Sequence, residues 1–246
     1  MSAPENEESI VSKDYWKTVG LEVKETVTAP AHWEGRDWLL FSGVTAGIVA
    51  VGVFDEDIQR AVQRNRNRTT DNIFNAVEPF GTGYSAAVRG AFYLGGELFK
   101  DPSAKSVALD GLSASIIASG LIAQPLKYTF GRNRPNKGHG AYVFQPFSGN
   151  DSFPSGHTTQ AFAVATVISE HYDSLWVQGA SYGLASMVGY ARLNHNAHWA
   201  SDVVAGAAIG TVVGRFVVHF NQQHHSVSFA PILGPGMQGG ALTWAF

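Results

Sequence analysis

Apolar and small residues recur along most of this chain in runs of helical length, parted by short polar stretches. The runs Ala86 to Phe99, Ser106 to Thr129, Thr158 to His171, Leu175 to Arg192 and Trp199 to Phe220 each read as a helix. Trp38 to Phe54 is a further run, uncharged over 17 residues between Asp37 and Asp55. Ala and Gly are frequent in these runs, which allows helices to approach closely. The segment Asp55 to Asp71 carries Arg60, Arg64, Arg66 and Arg68 and reads as a solvated helix face entering a loop, in preference to a contact with anionic lipid. The pattern changes at the end of the chain. Val227, Phe229, Leu242, Trp244 and Phe246 alternate with small or polar residues around a Gly- and Pro-rich turn, which predicts a β-hairpin packed on the helices.

These patterns predict an all-α helical bundle with three parts. Residues 1–36 form a polar and amphipathic lead-in, 37–222 the helical domain, and 223–246 the hairpin tail. A membrane span needs about 20 predominantly apolar residues. The run at 38–54 is short, and Gly111 to Leu126 and Ser174 to Ala191 are laced with Ser, Gly and Gln. A mean hydropathy of -0.03 is low for several spans. The expectation is therefore core helices of a soluble bundle, weighed against integral membrane helices, with Trp16, Trp33, Trp38 and Trp244 as candidates for a membrane interface.

Composition narrows the chemistry. A net charge of -3 over 246 residues gives no support for nucleic-acid binding. With no cysteine there is no disulfide, thiolate metal site or thiol nucleophile. The first eight residues are polar and acidic and lack the form of a signal peptide. Gly81-Thr-Gly83 has no strand before it, which argues against a dinucleotide loop.

Three polar clusters interrupt the helical pattern: Lys127 to Pro135, Pro154 to His157, and Arg192 to Asp202. Ser155 is placed to cap a helix starting near Gly156, leaving backbone N–H groups open to an anion, with His157 beside them. His198 and Asp202 are four apart and share a helix face, so a carboxylate can orient one imidazole nitrogen and leave the other to attack. Lys127, Arg134 and Arg192 are cationic donors suited to phosphoryl oxygens. Taken singly, the first cluster is equally a basic helix end before a proline stop, and the second only a helix start. Metal binding by His195, His198 and Asp202 lacks a further ligand at helical spacing.

Together the clusters resemble the type-2 phosphatidic acid phosphatase superfamily. Its signature runs Lys-x6-Arg-Pro, Pro-Ser-Gly-His, then Ser-Arg-x5-His-x3-Asp. Here Lys127 to Pro135 matches the first part, Pro154 to His157 the second, and Arg192, His198 and Asp202 the third, in the same order. Ala191 stands where the third part has Ser, which removes one hydroxyl. The resemblance implies a phosphoric ester hydrolase, an acid phosphatase or lipid phosphate phosphatase. His198 would be its nucleophile, Asp202 the group fixing its tautomer, and His157 the acid and then the base. Lys127, Arg134, Ser155, Gly156 and Arg192 would bind the phosphoryl group. It implies no metal and no cofactor, a phosphorylated small-molecule or lipid substrate, and a periplasmic site with the leader missing. Two rival readings share the motifs: a vanadium-dependent haloperoxidase, whose members are usually much larger, and a non-catalytic phosphate- or lipid-binding protein.

Overall fold

In the computed structural model the described residues are 9–225, 227–234 and 237–244, with side chains described to 223. The body is all-α. Ser12 caps α1 (Lys13–Thr28) by accepting from the Tyr15 N–H, and a capping box between Glu34 and Asp37 starts α2 (Gly35–Val53). The segment after Phe54 continues as α3 (Asp55–Asn65), then α4 (Arg68–Val77), which Asn67 caps. A 3-10 turn at Glu78–Gly81 leads into α5 (Gly83–Phe99). Asp101 and Pro102 start α6 (Pro102–Ser115), which runs through a π-type stretch, Ile116–Ala123, into α7 (Gln124–Phe130). Then come α8 (Gly156–His171), α9 (Leu175–Asn194) and α10 (Ala200–His225).

The lead-in is partly built into this body. Tyr15 and Val19 of α1 pack with Leu109, and the Tyr15 hydroxyl donates to the Leu109 carbonyl at 3.2 Å. At the other end, Val227–Gly234 (β1) pairs antiparallel with Met237–Trp244 (β2). The side chains of that ribbon, and with them its expected packing on the bundle, lie outside the described residues.

The main core joins α6 and the π-type stretch to α8 and α10 through Ile117, Val107, Val167 and Val217. Glycines set how closely α10 meets α8. A Cβ on Gly206 would lie 2.6 Å from the Ser155 carbonyl oxygen, and one on Gly210 2.4 Å from that of Thr159. A stripe of small residues at every fourth position thus lets the two backbones touch. This contact brings the start of α10, with Asp202, beside the start of α8, with Ser155.

The expectation of a soluble bundle is corrected by exposure. Three helices, Gly35–Val53, Pro102–Phe130 and Ala200–Gln223, are long and apolar enough to cross a membrane. No residue of α2 is buried, and Leu39, Leu40, Phe41 and Val49 are all more than half exposed. An apolar helix with no buried residue and most of its surface open suits hydrocarbon and not water. The helix outruns the uncharged stretch because Gly35, Arg36 and Asp37 belong to it as well, while Phe54 stands just past its end.

All three apolar helices end at one place. Asp55 follows the C-terminus of α2, Arg132 follows that of α7, and Ser201 and Asp202 open α10. Arg132 donates to Asp55 at 2.7 Å and to Asp202 at 2.6 Å, while the Ser201 N–H donates to Asp55 at 2.8 Å. The chain turns into this position at Gly131, whose φ is +54° and where a Cβ would lie 1.8 Å from the Gln145 carbonyl oxygen. Only glycine serves there. The returning loop is pinned by Asn133 N–H to Val143 O and by Ser152 N–H to Arg132 O.

Candidate active site

The structure gathers the three sequence clusters into one site. α8 begins at Gly156, and the Ser155 N–H donates to the Asp202 carbonyl at 3.0 Å. A Cβ on Gly156 would stand 3.5 Å from Lys127 Cε, so the first two clusters touch. The Ala197 and His198 N–H groups both donate to the Arg192 carbonyl, which folds the third cluster back on the end of α9. Lys127, Ser155, Arg192, His198 and Asp202 are all buried.

Ser155 departs from the sequence expectation in one respect. It occupies the cap position, but its hydroxyl makes no capping bond and instead accepts from the Thr158 hydroxyl at 2.8 Å. The first bond of the helix is Thr159 N–H to Ser155 O, so the N–H groups of Gly156 and His157 precede it and keep the character of an anion seat.

His198 and Asp202 lie as their spacing predicted, on one face, but their contact is indirect. His198 Nδ1 is 2.7 Å from the Ser152 carbonyl oxygen and 3.6 Å from Asp202 Oδ2. A carbonyl only accepts, so Nδ1 carries the proton of the neutral ring and Nε2 carries the lone pair. Asp202 is occupied elsewhere. Its Oδ2 accepts from the Ser152 hydroxyl at 2.6 Å and the Trp199 N–H at 2.9 Å, and its Oδ1 from Arg132. The carboxylate therefore holds Ser152, and Ser152 holds the ring. Burial pushes the His198 pKa down to about 4, with Lys127 and Arg134 acting in the same direction and Asp202 against them.

The cations have distinct settings. Arg134 makes a two-pronged pair with Asp151, at 2.8 and 2.6 Å, and Lys127 donates to the Asp151 carbonyl. Burial pushes the Asp151 carboxyl up, but the Arg134 guanidinium and then Lys127 bring it below the usual range. Arg192 pairs through Nη1 with Glu78, while its buried Nε has no hydrogen-bond partner. A buried donor without a partner costs on the order of 1–3 kcal/mol, which an arriving oxyanion would recover. Ala191 is fully buried, and its carbonyl accepts from the His195 N–H.

Five residues that sequence reasoning passed over complete the site: Asp55, Glu78, Arg132, Asp151 and Ser152. Arg132 lies inside the Lys-x6-Arg interval, and Asp151 and Ser152 sit just before Pro154. Those three lie close to motif residues in the sequence. Asp55 and Glu78 are joined to the site only by the fold. The arrangement can seat a tetrahedral anion among Lys127, Arg134, Arg192 and the start of α8, with an imidazole lone pair and a second imidazole nearby.

Known proteins resemble this chain in sequence and in fold. A lipid A 1-phosphatase of Porphyromonas gingivalis is 44% identical over 91 residues, which is 36% of this chain and 18% of that protein. The crystal structure of LpxE from Aquifex aeolicus superposes with a TM-score of 0.54 at 25% identity, covering 68% of this chain and 95% of that one. A transmembrane PAP2 type phosphatidylglycerolphosphate phosphatase from Bacillus subtilis has the same fold, with a TM-score of 0.59 at 23% identity over 75% of this chain and 94% of that one. The chain spans between 18% and 44% of the length of the first curated relatives it matches. With its three apolar helices, it is membrane-associated. The model of the PAP2 superfamily matches residues 110–226, the stretch that carries all three motifs, and these residues are a PAP2 superfamily domain.

Proposed function

We propose that this protein is a lipid phosphate phosphatase working through a phosphohistidine on His198. The observation that carries this reading is the His198 ring, with Nδ1 tied to the Ser152 carbonyl and Nε2 left as the nucleophile beside Lys127 and Arg134. In the first step the Nε2 lone pair attacks phosphorus and the bond to the leaving oxygen breaks. His157 gives that oxygen its proton. In the second step His157 takes a proton from water, the oxygen of that water attacks phosphorus, and the P–N bond breaks to release phosphate. Lys127, Arg134, Arg192 and the Gly156 N–H hold the phosphoryl oxygens, and these cations supply the electrostatic stabilisation.

A lipid substrate is favoured over a soluble ester by the surroundings of the site. A cleft of about 620 Å³ opens between α2, α7 and α10, lined by Val44, Ile48, Leu126, Phe153 and Ala208, and it reaches Arg132 and Ser201. Acyl chains fit such a slot while the headgroup lies where the three apolar helices end. The relatives named for lipid A and lipid phosphates support the same class. The resemblance to the type-2 phosphatidic acid phosphatase superfamily supports a site facing the periplasm. A single cysteine introduced as His139→Cys, in a chain that has none, should react with a membrane-impermeant maleimide in intact cells; protection there would overturn that placement.

The central test is turnover of a lipid phosphate in micelles by the wild-type chain and His198→Ala. The variant should lose activity and phosphoenzyme, and EDTA should leave the wild type unchanged. Activity surviving in His198→Ala, or lost to EDTA and restored by zinc, would sink the reading.

A further inference from the structure

Glu78 belongs to none of the three motifs, yet its carboxylate stands among the site's cations. Oε1 pairs with Arg192 Nη1 and lies 3.4 Å from His157 Nε2, and Oε2 lies 2.7 Å from His195 Nδ1. The short turn that carries it is seated firmly. Pro79 restricts its backbone, Phe80 packs on Ala161, Ala165, Ala185 and Val188, and Gly81 rests on the start of α8. A Cβ on Gly81 would come within 2.8 Å of both His157 Cβ and the His157 carbonyl oxygen. The turn that carries Glu78 is thus held against the start of α8 by backbone packing.

The groups around the His157 ring come from several elements. Lys127 lies on α7, Arg134 on the loop after it, Arg192 on α9, and His195 on the turn before α10. Burial first, and then Arg134, Lys127 and His195, all push the His157 pKa down. Glu78 is the one carboxylate within 4 Å of a His157 ring nitrogen among the described residues. A general acid must hold its proton until the leaving oxygen arrives, so a cation-rich cradle built for phosphate works against its own acid.

We propose that Glu78 is a positioning residue that keeps His157 protonated and oriented for transfer to the leaving oxygen, and fixes Arg192 by one Nη so that Nε stays free for a phosphoryl oxygen. One nitrogen of the His157 imidazolium faces Glu78, and the other gives up the proton: its N–H bond breaks, the O–H bond of the leaving alcohol forms, and a neutral ring remains. This inference rests on the phosphatase reading above.

The test uses the full chain in micelles and the isosteric change Glu78→Gln. The imidazole NMR titration of His157, assigned with a His157→Gln spectrum, should move its midpoint down by about one pH unit. The alkaline limb of kcat/KM should move down with it, and Glu78→Asp, which retains the charge, should bring both back towards wild type. A midpoint that stays or rises, or activity that falls equally at every pH, overturns the role of Glu78 and leaves the phosphatase reading standing. A wild-type chain that turns over no phosphate ester overturns that reading instead, and the NMR midpoint still decides whether Glu78 holds the His157 proton.

Discussion

His198 is oriented by the backbone of Ser152: its Nδ1 lies 2.7 Å from that carbonyl oxygen, while the Asp202 carboxylate stands 3.6 Å away and bonds the Ser152 hydroxyl. Asp202 thus acts on the ring partly through Ser152 and partly through its charge. Where a triad acid bonds the ring directly, its amide variant loses about 10⁴-fold in kcat. Asp202→Asn should lose about 100-fold, because the Ser152 carbonyl still selects the tautomer. Steady-state turnover of a lipid phosphate measures this, and a loss of the full 10⁴-fold would show that the Asp202 charge outweighs the backbone bond.

The depressed pKa of His198, about 4, has a consequence for stability. The unfolded ring titrates near its ordinary value of about 6.5. As pH falls through that value the unfolded chain binds the proton first, so stability is full above about 6.5 and drains away between there and about 4. The loss attributable to this one ring is about 3 kcal/mol, from some 2.5 units at 1.36 kcal/mol each. Thermal unfolding in micelles at pH 7 and pH 4.5 should show a steeper fall for wild type than for His198→Gln. Parallel falls would mean that the buried ring is not the group being titrated.

Arg132 is the shared partner of two fully buried carboxylates, Asp55 and Asp202, and of the Ala141 carbonyl. Removing it strands both charges at the point where the three apolar helices end. Breaking a buried pair costs about 3–5 kcal/mol, so Arg132→Gln should unfold at markedly lower temperature and lose activity with it. Adding Asp55→Asn to that variant should recover part of the stability, since one stranded charge is gone. A double-mutant cycle gives the coupling; additive effects would contradict the shared role.

The legible part of this protein was its local chemistry. Lys127, Arg134, Ser155, Gly156, His157, Arg192, His198 and Asp202 announce themselves by spacing within three short stretches, and helical period put His198 and Asp202 on one face. Glu78 and Asp55 gave no such signal: single acids far along the chain, they reach Arg192 and Arg132 only because α4, α9 and the end of α2 pack where they do. The surroundings of α2 were hidden for another reason. Hydropathy counts apolar residues but does not say whether protein or lipid covers them, and a run rich in Gly, Ala and Val reads alike in both settings. The i,i+4 spacing pairs Asp202 with the His198 ring, whereas the loop that inserts Ser152 between their polar atoms returns from Gly131, too far off for any local pattern.

The glycine stripe on α10 is open to a direct check. A Cβ on Gly210 would lie 2.4 Å from the Thr159 carbonyl oxygen and 2.8 Å from the Ala163 nitrogen, both backbone atoms that cannot step aside singly. Gly210→Ala should therefore push α10 off α8 and destabilise by about 1–3 kcal/mol, separating Asp202 from Ser155. Gly179→Ala, in α9 with nothing within 4 Å, is the control and should be neutral or slightly stabilising. Equal melting temperatures for the two variants would contradict the close approach.

The apolar cleft between α2, α7 and α10 gives a way to separate acyl-chain binding from phosphate chemistry. Ala208 lies on its wall, away from the cations that hold the phosphoryl group. Ala208→Phe fills part of the slot without touching Lys127, Arg134 or His198. For a long-chain lipid phosphate in micelles KM should rise several-fold, since each buried methylene that is excluded costs about 0.8 kcal/mol. For a short soluble phosphomonoester, whose binding energy comes from the phosphoryl seat alone, kcat and KM should stay as in wild type. A rise in KM for both substrates would place the cleft in direct contact with the phosphoryl seat, and a rise for neither would mean that the acyl chains lie elsewhere on the apolar helices.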